Sequence, residues 1–221
     1  MNTNLFFLLC VCVVPQVLGQ QPEPCEPPPQ ISFRVSQYEP PFSLIAKYTG
    51  MYDVDQQRVM FLEERLMGVP VTQYVQFIFL YKEGVVYEFN LSSLNCSKSP
   101  SGPFHSWGVP QNATLRDTYT LGGPRDGFEA VEWSNVLYTK GETWIGVYTR
   151  LDCFPVLTTV FDTYWRNSSV TTYAYDMTEG LTDPDKFVPP YPCQIGRVTE
   201  ASLSEKGQRL LNLFKDKTQG K

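Results

Sequence analysis

This sequence predicts a mostly β fold, an all-β sandwich or open barrel with one helix near the C-terminal end. Three observations carry that reading. Aromatic residues make up 14% of the chain, with 14 Phe, 13 Tyr and 4 Trp, and such rings suit the half-buried face of a pleated sheet. Apolar and polar residues alternate in roughly nine to eleven short segments, the spacing of an antiparallel sandwich or barrel. A helical period appears convincingly in one place, near Glu205.

The elements follow in order. Residues 1–19 read as a secretory signal peptide. Its apolar run from Leu5 to Leu18 is too short to span a bilayer comfortably, and Val17 and Gly19 stand before a cut at Gln20. Residues 20–30 form a Pro-rich lead-in, tied down by Cys25. Residues 31–200 carry the β domain, and residues 201–221 the helix and tail.

Within the β domain, Phe42, Leu44, Ala46 and Tyr48 alternate with Ser43, Ile45 and Lys47. A polar turn at Asp53 and Asp55 then leads into residues 59–62, which is a hairpin pattern. Residues 74–81 are apolar on nearly both faces, as a strand covered on both sides must be. Lys82, Glu83 and Gly84 turn the chain into residues 85–91, where Val85, Tyr87, Phe89 and Leu91 share one face. Residues 97–111 hold three Pro and two Gly and read as a long loop. Strands resume at 118–121, 128–134 and 142–149, and residues 156–165 pair with 170–177 across a turn. Ser202 stands three residues before Glu205, a capping-box spacing, and Leu203, Leu210, Leu211 and Phe214 fall on one helical face. Gly207 weakens that helix by about 1 kcal/mol relative to Ala.

Charge and composition exclude several functions. The net charge of −5, with no basic block, argues against a nucleic-acid partner. After the signal segment no stretch is long and apolar enough for a transmembrane helix. The single histidine, His105, removes any zinc site built on two or three His and leaves one possible base for a nucleophile. Neither Asp162 nor Glu132 stands in a nucleophile motif. Glu63 and Glu64 are adjacent on a strand, so they face opposite ways and cannot flank one glycosidic bond. The chain is therefore expected not to be an enzyme, with no cofactor unless calcium binds. Asp53 with Asp55, or Asp183 with Asp185, offers oxygen ligands without EF-hand spacing.

Of six cysteines, Cys10 and Cys12 lie in the signal segment, leaving Cys25, Cys96, Cys153 and Cys193. Two disulfides follow, with three pairings open. Glycosylation sequons stand at Asn90, Asn95, Asn112 and Asn167. The strand aromatics Phe77, Phe79, Tyr87, Phe89, Trp144, Tyr148, Phe161, Tyr164, Tyr173 and Tyr175 are the candidate lining of a ligand pocket. A plain sandwich core uses the same residue types, and composition does not separate the two.

Several stretches together resemble the ependymin family. They are Leu80-Tyr-Lys-Glu-Gly84, residues 109–112, Gly122-Gly-Pro124, Glu142-Thr-Trp-Ile-Gly146, Asp152-Cys-Phe-Pro155, Asp183-Pro184, and Phe187-Val-Pro-Pro190 leading to Cys193. The resemblance runs from about Cys25 to Val198. It implies two stacked, curved antiparallel sheets, a half-barrel similar to bacterial lipoprotein carriers, around a deep apolar pocket. It implies a secreted homodimer reaching the lysosome lumen and binding anionic lipids or gangliosides. The alternative is a calcium-responsive extracellular-matrix or cell-adhesion glycoprotein. The resemblance also implies the pairings Cys25–Cys153 and Cys96–Cys193. A third bridge seen in relatives is not available, because Val71 stands at one of its positions and the C-terminal tail has no cysteine.

Overall fold

The computed structural model describes residues 21–39, 44–64, 74–137, 141–162, 169–195, 199–214 and 217. The signal segment, Phe42, Val71, Tyr164 and Asn167 lie outside the described residues.

Among the described residues, twelve strands form one sheet. They are β1 (Gln30–Glu39), β2 (Leu44–Asp53), β3 (Arg58–Glu63), β4 (Val75–Leu80), β5 (Val85–Asn90), β6 (Asn95–Pro100), β7 (Thr114–Leu121), β8 (Phe128–Leu137), β9 (Glu142–Thr149), β10 (Pro155–Asp162), β11 (Ser169–Glu179) and β12 (Thr199–Glu200). Helix α1 spans Tyr191–Gln194 and α2 spans Glu205–Asn212. The order across the sheet is β12-β6-β5-β4-β3-β2-β1-β11-β10-β9-β8-β7. Neighbours are antiparallel, apart from β12, which runs parallel to β6. Two meanders, β2 to β6 and β7 to β11, are thus joined by β1, which pairs with β2 on one side and β11 on the other. The two expected layers are the two halves of one open sheet.

The sheet curves. Register shifts interrupt the pairing of β1 with β11, β9 with β10 and β7 with β8, and such bulges bend the strand that carries them. The bend is visible at Trp107. Strands β2 and β9 are four places apart, about 19 Å on a flat sheet. Yet the Trp107 backbone N–H donates to the Tyr52 hydroxyl of β2 at 3.4 Å, and its carbonyl accepts from the Tyr148 hydroxyl of β9 at 3.1 Å. Side chains standing up from a flat sheet do not converge like that. Gly146 helps, because a Cβ there would strike the Trp144 and Tyr148 rings that lie across its position.

The structure moves several boundaries, lengthening the strands expected at 128–134 and 170–177 to Phe128–Leu137 and Ser169–Glu179. The first residues of the expected loop at 97–111 belong to strand β6, whose polar sequence sits near the sheet edge with Pro100 at its end. Strand β7 begins at Thr114, ahead of the expected 118. Helix α2 is capped by Ser204, whose side chain accepts from the Gly207 N–H, and not by Ser202. A hydroxyl reaches the N–H three residues on only from the Ncap position itself, so the nearer serine wins.

Candidate functional site

Alternate residues of the sheet face inward, and the inner face is where aromatic rings gather. In the first half, Ile31, Phe33 and Val35 (β1), Tyr48 and Tyr52 (β2), Phe61 (β3), Phe77 and Phe79 (β4) and Val86 (β5) form one buried cluster. Helix α2 and the residues flanking it supply Leu203, Leu210, Leu213 and Phe214 to the same cluster, and the loop after β6 supplies Trp107. Gly207 lets the helix lie this close, since a Cβ there would come within 2.6 Å of the Leu203 side chain and 2.9 Å of the Phe77 ring.

Phe214 stands at the centre. It stacks on Tyr52 with ring centroids 5.9 Å apart and meets Trp107 at 5.6 Å and Phe61 at 6.1 Å. Polar contacts anchor the helix above these rings. Lys206 Nζ reaches the mostly buried Glu63 carboxylate at 2.5 Å, and the Ser204 N–H donates to Glu88 at 3.0 Å. Burial raises the Tyr48, Tyr52, Tyr81 and Tyr148 hydroxyls above the ordinary phenol value, so this face carries no tyrosinate near neutrality.

In the second half, Val109, Val131, Trp133, Trp144, Tyr148 and Cys153 form a second buried cluster. The tail reaches it at Lys217, whose ammonium lies 5.4 Å over the Trp144 ring and whose carbonyl accepts from the Asn135 amide at 2.7 Å. Burial pulls the Lys217 amine down to about 8, with Glu26 opposing. Beside this cluster, residues 21–25 wall an open groove of about 760 Å³ with Val131, Trp133, Thr149 and Arg150.

The outer face is covered in part. Met51, Met60, Ile78 and Phe187 form a third cluster. The segment that brings Phe187 there is fixed by the Cys96–Cys193 disulfide, and Cys25–Cys153 ties the lead-in to the second half. Tyr87 packs between Phe187 and the Phe89–Cys96–Cys193 group. Farther along, Tyr173 is 45% exposed, meets Tyr38 edge-on at 5.8 Å, and lines a shallow groove of about 500 Å³ with Ser36 and Thr171. The Tyr175 hydroxyl lies 3.2 Å from Ser36 Oγ.

The candidate pocket residues therefore divide. Phe77, Phe79, Trp144 and Tyr148 face inward, while Tyr87, Phe89, Phe161, Tyr173 and Tyr175 share the outer face by register. Sequence reasoning did not place Tyr52, Phe61 or Trp107 at the site. The available signal was Trp107, a large ring in a Pro- and Gly-rich loop that has no other reason to carry one.

The acidic turns are engaged. Buried Asp53 pairs with Arg58 at 2.8 Å and accepts from the Gln56 N–H. Asp183 lies 3.6 Å from Lys186 Nζ. Among the described residues no three His, Cys, Asp or Glu gather as metal ligands do. Glu63 and Glu64 do face opposite ways, Glu63 to Lys206 and Glu64 to Arg34. Asn95 and Asn112 are exposed, and the Asn90 side chain accepts from the Ser92 and Ser93 N–H groups at 2.9 and 3.0 Å. No helix among the described residues is long and apolar enough to cross a membrane.

An open antiparallel sheet, bent around an aromatic interior and tied by two disulfides, defines a half-barrel β protein. The ependymin family profile matches residues 70–193. Mammalian ependymin-related protein 1 of Mus musculus is 35% identical over 202 residues, covering 89% of this chain and 87% of its own length. The chain belongs to the ependymin family, whose members are secreted glycoproteins. Among solved structures, an uncharacterized conserved protein from Thermus thermophilus shares the fold, with a TM-score of 0.53 and 9% identity over 78% of this chain and 90% of that one. A LolA superfamily protein from Nitrosomonas europaea also aligns, at a TM-score of 0.33 and 8% identity over 72% and 89% of the two chains.

Proposed function

We propose that this chain is a secreted, non-enzymatic binder and carrier of hydrophobic ligands, with anionic lipids or gangliosides as its cargo and the lysosome lumen as one destination. The observation that carries the reading is the inner face. Phe33, Tyr52, Phe61, Phe77, Phe79 and Trp107 gather on the inner face of the bent sheet, where Phe214 and the residues of helix α2 cover them. Phe77, Phe79, Trp144 and Tyr148 contribute to the lining. Binding by this surface draws on apolar burial, about 25 cal/mol per Å² before ordering costs. Membership of the ependymin family supports secretion, and glycans at Asn90, Asn95, Asn112 and Asn167 belong to the same proposal. A homodimer is its assembled form.

The matrix alternative relies on calcium, and Asp53, one of its proposed ligands, already spends its carboxylate on Arg58. The carrier reading is tested on protein secreted by cultured eukaryotic cells. Native mass spectrometry and lipid extraction should recover bound lipid in stoichiometric amount. Protein that carries no lipid, and takes none up from vesicles containing anionic phospholipid, overturns it.

A further inference from the structure

We infer that the slot formed by Tyr52, Phe61 and Trp107 is the entry site for the apolar ligand, and that Phe214 and helix α2 fill it as an intramolecular competitor that leaves when ligand binds. The inference rests on the carrier reading and adds to it a named site and a gate.

Three observations support a displaceable helix. First, the slot is made entirely by the sheet and the loop at Trp107, and Phe214 enters it from the far end of the chain. Trp107 is held independently of the helix, by its backbone bonds to Tyr52 and Tyr148 and by its ring contact with Phe33 at 4.8 Å. Removing the helix therefore leaves the slot standing.

Second, α2 has eight residues and a glycine within them. A helix that short does not persist alone in water. It exists because it is docked, so undocking and unwinding are one event and expose no second stable element.

Third, the docked tail leaves buried polar atoms without partners. Lys217 Nζ and Asn212 Oδ1 lack a hydrogen bond, as do some buried sheet groups such as the Tyr48 hydroxyl and the Trp144 indole, and Lys217 faces a ring in place of a carboxylate. Each unsatisfied group on the tail weakens its docking, because water offers it a partner on release.

The charged anchor that resists release is the Glu63–Lys206 ion pair, beside the Ser204 N–H bond to Glu88. A ligand that binds only the open form has its apparent affinity reduced by the fraction of protein that is open. Weakening the anchor should therefore tighten ligand binding without touching the slot.

The test uses the full chain and Lys206→Glu, a partly exposed position whose reversal sets two carboxylates against each other. The probe is cis-parinaric acid, a fluorescent unbranched fatty acid. The variant should bind it about tenfold more tightly than the parent, and saturating probe should speed hydrogen exchange at residues 205–214 in the parent while the strands stay protected. Equal affinity in both proteins, or probe binding that leaves residues 205–214 protected, overturns the gate while leaving the carrier reading intact. Absence of binding by both proteins removes the carrier reading and the gate together.

Discussion

Phe214 lies parallel to Tyr52, with ring planes 14° apart, although 162 residues of chain separate them. This stack joins the C-terminal helix to the second strand and closes the aromatic interior. Phe214→Ala removes a fully buried ring, and such truncations cost about 3–5 kcal/mol when the site does not collapse. Chemical denaturation should show a loss in that range if the helix unfolds with the sheet. A smaller loss, with an early transition confined to the tail, is the outcome expected if the helix releases first.

Gly207→Ala sets two effects against each other. Alanine gains about 1 kcal/mol of helix propensity over glycine. The added methyl meets Leu203 at 2.6 Å and Phe77 at 2.9 Å, and overpacking of that kind costs about 1–3 kcal/mol. Packing wins, so the variant should be less stable despite its better helix former. Thermal unfolding of the variant settles the sign.

The two meanders were legible because their strands alternate cleanly, as Val85 to Leu91 does, and because Lys82-Glu-Gly84 marks its own turn. Strand β6 was not, because its Asn-Cys-Ser-Lys-Ser-Pro sequence resembles a loop and becomes a strand only by pairing with β5. The candidate site was half legible. Alternation shows that Tyr87 and Phe89 share a face, but whether that face joins Phe77 depends on the β4–β5 register, which pairs Tyr87 with Ile78 and Phe77 with Glu88. Register is a property of two strands and their turn together. For the same reason Trp107, a loop residue recruited across the bend, had no periodic neighbour to announce it.

The Cys96–Cys193 disulfide closes a loop of 97 residues in sequence and holds Phe187 near the outer cluster. Replacing both cysteines with serine should cost about 2–5 kcal/mol. The effect should also be local, with limited proteolysis cutting between residues 181 and 193 before any strand. Unchanged protection there would mean that Phe187 and the Arg58 guanidinium stacked 4.2 Å above it suffice alone.

Glu64 gives an acid-sensitive contact on the outer face. Its carboxylate is held below the ordinary value, first by hydrogen bonds from Arg34 and then by Thr49 against the opposing effect of burial. A group depressed on folding stabilises above its unfolded value, about 4.5, and loses that contribution as pH falls through the folded value. Glu64→Gln should therefore flatten the stability profile below about pH 4.5 and cost no more than about 1 kcal/mol at pH 7, because Arg34 is substantially exposed. Urea titrations at stepped pH measure both.

Lys217 gives a contact with the opposite slope. Its amine falls from 10.5 to about 8 when the tail is docked, because burial disfavours the charge. Between those two values the released tail binds more protons than the docked one, so docking strengthens as pH rises from about 8 to about 10.5. Below pH 8 both forms are charged, the dependence is flat, and the docked tail bears the full burial cost. Lys217→Met keeps an apolar stem over Trp144 and removes the charge. Docking at pH 7 should then strengthen by up to roughly 3 kcal/mol, and the slope between pH 8 and 10.5 should vanish. Protection factors for the amides of residues 205–214, measured across that range, report both effects. Equal protection in parent and variant at pH 7 would mean that the ammonium reaches water and that Phe214, Leu210 and the Glu63–Lys206 pair hold the tail without help from residue 217.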